Sequence, residues 1–203
     1  MSPLTADTAP RPSARSRLLE AADELFYRQG VDATGVDAVI EAANVARMTF
    51  YKHFGGKDAL VVAYLEERDA RWRGLLDDMC QAAGPDPVAR IKAVFDALAV
   101  YHRRPGHRGC AFANAAAQLG GRDHPARAVV AAHKAAHRAR LAEWVDEARY
   151  ADAGELVDLL LMLYEGATTT EALGTVTDAV TKAQRTVARL LDTWPRRTEE
   201  EAR

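Results

Sequence analysis

Apolar positions along this 203-residue chain recur at intervals of three and four, the spacing of one helix face, and nowhere alternate as a half-buried strand requires. Leu18, Ala22, Leu25 and Phe26 form the inward face of a first helix over 13–29, which Gly30 ends. Val36, Val39 and Ile40 mark a short helix over 36–43. Phe50 and Phe54, four apart, mark another over 47–54. After Gly55-Gly56 a long helix starts near Lys57 and carries Leu60, Val61, Tyr64, Leu65, Arg68, Trp72, Leu75, Leu76 and Met79, until Gly84-Pro85 stops it. Pro87 suits the first turn of the next helix, whose face is Val88, Ile91, Val94, Phe95, Leu98 and His102, and which ends before Pro105-Gly106. A short helix over 110–119, a longer one over 125–150 and two final helices over 155–173 and 177–194 follow. The spacing predicts an all-α fold of about nine helices: an N-terminal three-helix bundle, then a larger helical body.

Two short helices joined by a three-residue turn make a helix-turn-helix. Here they are 36–43 and 47–54, joined at Asn44-Val45-Ala46. Asn44 tolerates a left-handed turn conformation, and Val45 can fill the angle between the helices. With Phe50 and Phe54 inward, the second helix presents Arg47, Met48, Thr49, Tyr51, Lys52 and His53 outward. Arg takes guanine O6 and N7 together, Met or a Thr methyl meets the thymine methyl, and Tyr51, Lys52 and His53 reach phosphates.

Charge sharpens this reading. The formal net charge is −2, so no global field draws the chain to nucleic acid, and any DNA surface must be local. No acidic residue lies between Glu41 and Asp58, where Arg47, Lys52, His53 and Lys57 all fall. Lys57 also sits at a helix N-terminus, where the dipole favours an anion. Arg11, Arg15 and Arg17 are expected to form a basic arm ahead of the first helix.

Composition narrows the remaining classes. At 48% apolar and 28% charged residues, the chain has the balance of a globular protein. No apolar stretch approaches the ~20 residues of a membrane span, and residues 1–15 lack the apolar run of a signal peptide, so a cytoplasmic location is expected. Cys80 and Cys110 match no metal-ligand spacing. His133 and His137 lie four apart, but Lys134, Arg138 and Arg140 flank them and disfavour a cation. No metal and no cofactor are expected. Cys110 with His102 or His107 is too thin a basis for a nucleophile pair, and the chain is not expected to be an enzyme. Glu165, inside an apolar run, is open to three roles: an exposed edge, a subunit contact or a cavity wall.

The run Gly30-Val31-Asp32-Ala33-Thr34-Gly35-Val36, then Val39-Ile40, then Ala43-Asn44-Val45-Ala46-Arg47-Met48-Thr49-Phe50-Tyr51-Lys52-His53-Phe54 and Lys57-Asp58-Ala59-Leu60 closely resembles the signature of the tetracycline-repressor family. The resemblance covers about residues 13–65, and its most telling part is Phe-Tyr-x-His-Phe followed by Lys-Asp-x-Leu. Asn44, Ala46 and Gly35 stand where relatives often carry Gly, a small hydroxyl residue, and Ser or Thr. Phosphate contacts at Ala46 and Gly35 would then fall to backbone N–H groups, and Thr34 becomes a candidate cap and DNA contact. Arg108-Gly109-Cys110-Ala111-Phe112-Ala113-Asn114 resembles a segment of the ligand-binding region in a subset of the family.

The resemblance implies a DNA-binding transcriptional regulator, in its commonest form a repressor that binds a near-palindromic operator as a homodimer and is released by a small-molecule effector. Its partners would be double-stranded operator DNA, a second copy and that effector, with no membrane. The apolar faces of the last two helices suit a dimer interface, with Leu156, Leu160, Leu163, Val187 and Leu191 as its expected residues. The effector cavity is expected between the helices beginning near Lys57, Pro87, Cys110 and Pro125, lined by Trp72, Phe95, Leu98, His102, Phe112, Asn114 and Trp144. Its ligand is expected to be uncharged or weakly polar, unless Arg103 and Arg104 turn inward for an acid. The division expected is an arm over 1–12 without fixed structure, a DNA-binding domain over 13–58, a ligand-binding and dimerisation domain over 59–195 and a flexible tail over 196–203.

Overall fold

The computed structural model describes residues 12–103, 106–121 and 123–198. Among them are nine helices and no strand: α1 (Ala14–Gln29), α2 (Val36–Ala43), α3 (Arg47–Phe54), α4 (Lys57–Ala83), α5 (Pro87–His102), α6 (Ala111–Gln118), α7 (Ala126–Glu147), α8 (Ala153–Leu173) and α9 (Ala179–Thr193). The ends are set by local chemistry. The Ser13 hydroxyl accepts from the Ser16 N–H at 3.1 Å and starts α1. Asp86 accepts from the N–H groups of Val88 and Ala89, each at 3.2 Å, and Pro87 fills the first turn of α5. Asn44 ends α2 in the left-handed region, at φ 49° and ψ 57°.

Two cores result. The first gathers Leu18, Ala22, Phe26, Val39, Phe50, Phe54 and Leu60 through Leu65. The second gathers Trp72, Ile91, Phe95, Leu98, Leu141, Trp144, Leu156, Leu160, Val187 and Leu191. α4 belongs to both, and its change of core falls between Leu65 and Trp72. Phe112, Ala115 and Leu119 and the start of α7 at Ala126 also join the first core. That core therefore extends past residue 58 and takes in an element far along the chain.

Residues 195–197 pack back on the body. Arg196 bridges to Tyr150, with the Ala151 N–H donating to Pro195 O and the Arg197 N–H to Arg149 O. The Arg196 guanidinium lies 3.7 Å from the centre of the Tyr150 ring, and Arg197 pairs with Asp146 at 2.8 Å. The expected flexible tail is docked through residue 197; residues 199–203 lie outside the described residues. Arg11 and most of the expected arm also lie outside them, while Arg15 and Arg17 are inside α1 rather than ahead of it.

Candidate DNA-binding surface and effector cavity

α3 is held from beneath. Phe50 is fully buried and Phe54 nearly so, and their rings meet at 5.9 Å. The Arg17 guanidinium donates to Asn44 O at 3.0 Å, tying the start of α1 to the turn, and Arg15 lies over the Phe54 ring. Because both anchors fall on one face, the other face is left outward: Met48 is 79% exposed, and Arg47, Tyr51, Lys52 and His53 are exposed too. Thr49 is half-buried. A methionine so exposed gains nothing from burial in the fold. Arg47 pairs with Asp37 at 2.5 Å, both largely exposed, so that pair opens at little cost. No side chain caps α2 or α3, and the N–H groups at their starts follow Gly35 and Ala46. Bare N-termini of this kind are backbone donors for phosphate.

Two expected contacts stand differently. Thr34 is 1% exposed and its hydroxyl donates to Gly30 O at 2.7 Å. It neither caps α2 nor faces out; it locks the loop after α1. Lys57 is half-buried, and its ammonium donates to Asp32 O at 3.3 Å, on the same side as the loop before α2.

The body holds a small, half-open inner cavity of about 40 Å³, lined by Trp72, Leu98, Tyr101, Cys110, Phe112 and Tyr164 among others. His133 stacks on Phe112 with centroids 3.6 Å apart and is held by Asp69 at 2.7 Å. Outside it, between α1, α4 and the loop after α5, lies a cleft of about 500 Å³ that shares Arg68, Trp72 and Tyr101 with the inner cavity. Burial holds three histidines neutral: His102 and His107, each pushed down to about 4, and His137, pushed down to about 3. The His102 and His107 rings meet at a tilt, centroids 3.6 Å apart, rather than meeting Cys110, whose thiol instead accepts from Lys134 at 3.6 Å. Lys134 pairs with Glu165 at 2.5 Å, so Glu165 lies at the rim of this region as the partner of α7. Among the described residues, no three His, Cys, Asp or Glu side chains gather as metal donors, and no helix is long and apolar enough to cross a membrane.

Sequence comparison decides the family. The profile of the bacterial regulatory proteins of the tetR family matches residues 18–64, and that of the tetracyclin repressor-like C-terminal domain matches residues 87–187. A TetR-family transcriptional regulator from Streptomyces coelicolor is 31% identical and superposes with a TM-score of 0.81, over 88% of this chain and 94% of its own. The chain belongs to the TetR family. A second solved family member, from Streptomyces avermitilis, is 30% identical with a TM-score of 0.75, over 89% of this chain and 99% of its own. Among named regulators, TcmR of Streptomyces glaucescens is 30% identical over 84 residues and LmrA of Bacillus subtilis 33% over 86. The chain spans only 36% and 45% of the length of these two, and 41% and 42% of itself is matched. TetR-family chains are DNA-binding transcriptional regulators with the helix-turn-helix at the N-terminus, which is where α2 and α3 stand.

In this TetR-family chain the residues expected at the effector site separate. Trp72, Leu98 and Phe112 meet at the inner cavity. Phe95 lies behind Tyr164 in the second core, and Trp144 is in that core beneath Arg140. His102 meets His107 instead, ring against tilted ring. Asn114 is exposed and its amide donates to Arg108 O at 2.8 Å, so it shapes the loop before α6 instead of orienting a ligand. Arg68 and Tyr101 were not among the expected lining. Arg68 had a signal: a lone charge at helical spacing within the apolar face of α4.

The expected dimer residues need correction too. Leu156, Leu160, Val187 and Leu191 are all buried inside one chain, packed against α5 and α7. Leu163 is half-buried. The outward side of α8 instead carries Met162, Gly166, Thr169 and Leu173, spaced four, three and four apart, with Met162 69% and Leu173 70% exposed.

Proposed function

We propose that this chain is a ligand-released transcriptional repressor that binds a near-palindromic operator as a homodimer in the cytoplasm, and that it carries out no catalysis. The observation that carries the reading is the outward face of α3: Arg47, Met48, Tyr51, Lys52 and His53 exposed together, on a short helix whose apolar side is fully anchored. One such helix reads only a few base pairs, so length and affinity come from two copies on a two-fold axis. The stripe Met162–Gly166–Thr169–Leu173 supports the pairing. It is apolar or small, straight along α8 and covered by nothing in the single chain, and Gly166 leaves room for a close crossing.

Release follows from how the two cores meet. α6 lines the inner cavity through Ala111 and Phe112 and packs on the first core through Phe112 and Ala115. Its last residue, Gln118, accepts from the Asp32 N–H at 3.3 Å and closes on Gly30, where a Cβ would come within 2.5 Å of the Gln118 amide. A ligand that shifts α6 or α4 therefore moves the loop that sets α2 and α3. It weakens operator binding only if it prefers that shifted state. The test is to capture genomic fragments on the purified chain, then measure the stoichiometry of the complex by sedimentation. Two chains per duplex on fragments sharing an inverted repeat is the expected result. One chain per duplex, or fragments with no shared sequence, contradicts it.

A further inference from the structure

The seam between the cores holds a charge cluster that the reading head and body share. Asp23, on α1, takes two guanidinium groups from α4: Arg68 at 2.6 Å and Arg71 at 2.7 Å. The Arg68 side chain is only 11% exposed, that of Asp23 25%. Arg68 also donates to the Tyr101 hydroxyl at 2.9 Å and lies over the Tyr27 ring at 3.9 Å. All of these line the 500 Å³ cleft, which is walled by Tyr27, Trp72, Leu75 and Tyr101. Among its described residues the charges do not balance. Glu24 is occupied by Arg28, and Asp23 alone answers Arg68 and Arg71, while Arg108 turns its guanidinium to the Arg28 carbonyl. His107 on the same wall is held neutral by burial. A half-buried site with one carboxylate for two guanidinium groups is short of one negative charge, and the aromatic walls give it flat apolar sides.

We propose that this cleft binds a planar aromatic carboxylate, whose anionic end takes Arg68 and Arg71 in competition with Asp23 and whose ring lies among Tyr27, Trp72 and Tyr101. The cleft volume falls in the range of small-ligand sites. The proposed acid differs from the uncharged or weakly polar ligand expected from sequence, and its arginines are on α4 rather than Arg103 or Arg104; Arg104 lies outside the described residues. The inference rests on the effector-responsive reading above and gives it a direction. Asp23 is the salt link from α1 to α4, so an anion that displaces it unfastens the reading head from the long helix.

The test uses the full chain without DNA, titrated by calorimetry with naphthoate and with neutral naphthamide, which shares its shape. The carboxylate is expected to bind about tenfold or more tightly than the amide, as loss of one charge-assisted pair would require. Arg71→Gln removes that preference; Arg68→Lys, which keeps the charge but not the fork, reduces it, so a folding defect in either one leaves the other as the test. Asp23→Asn removes the competitor and strengthens naphthoate binding while weakening operator binding. Equal binding of the two compounds, binding of neither, or a preference that survives both arginine changes overturns the proposal. Naphthoate that binds without lowering operator affinity overturns the competition with Asp23. A chain that binds its operator but fails the naphthoate titration remains a regulator of another ligand class. A chain that binds no DNA removes the regulator reading whichever compound binds.

Discussion

The first core packs Leu18, Phe26, Phe50 and Phe54 under short helices and turns its polar chemistry outward, onto α3. The second packs Trp72, Phe95, Leu141 and Trp144 between long helices, and its polar groups, such as His137 and His133, face inward or line clefts. Both use the same kinds of apolar residue, so burial alone does not separate the two regions. The difference lies in helix length and coverage. A helix of eight residues, with one apolar face, leaves the rest of its surface to solvent. α4, α5 and α7 are covered on several sides, and any polar group caught there is desolvated. Arg68, at the place where α4 leaves one core for the other, is where the two arrangements touch.

The largest effects are expected in the second core. Leu160→Asp places an unpaired carboxylate at a fully buried site and should cost more than about 4 kcal/mol, unfolding the body rather than yielding clean monomers. Met162→Glu, two residues on and 69% exposed, should leave the melting temperature within a few degrees while weakening dimerisation. Thermal unfolding and sedimentation on both variants check this, and a folded Leu160→Asp monomer would restore the interface expected from sequence. Next comes Phe112→Ala. Phe112 lies outside the N-terminal bundle in sequence but inside its core, so its loss should cost about 3–5 kcal/mol and depress DNA binding as well as stability. Intact operator affinity would show that α6 is not part of the head.

Smaller effects follow. His137 is neutral when folded and pushed down by burial to about 3, with its Nε2 buried and unpartnered among the described residues. The unfolded chain therefore binds a proton there that the folded chain refuses. Its contribution is fully present above the ordinary histidine value of about 6.5 and is lost as pH falls below it, at a slope of up to about 1.4 kcal/mol per pH unit. Denaturant titrations of His137→Phe between neutral and acid pH should show a flatter fall than the native chain. Lys52→Ala, on the exposed face of α3, should leave stability unchanged and lower the salt slope of DNA binding by about one unit. An unchanged slope takes Lys52 off the phosphates.

The two short helices of the head were legible at both ends. α2 and α3 begin and end where Val36, Ala43, Arg47 and Phe54 implied, because short helices depend on local stop signals such as Asn44 and Gly55. The nine helices among the described residues followed from Gly, Pro and apolar spacing. What the sequence withheld was which neighbour each apolar face meets. Leu156 and Leu191 look alike whether they face a second copy or their own chain, and only the packing of α8 and α9 on α5 and α7 decides. Thr34 kept no outward role because its hydroxyl found Gly30 O across a turn, a pairing that residue type alone does not specify. Arg196 reads as tail charge until Tyr150, far off in sequence, is seen beneath it.

The outward face of α3 is expected to read operator DNA, and selection of bound duplexes from a random pool is the test. The native chain is expected to enrich an inverted repeat with two equal half-sites, and Arg47→Ala to lose preference at the same base pair in each half, at a cost of about 1–3 kcal/mol. No inverted repeat, or one whose consensus is unchanged in Arg47→Ala and in a matching Met48→Ala, would contradict it.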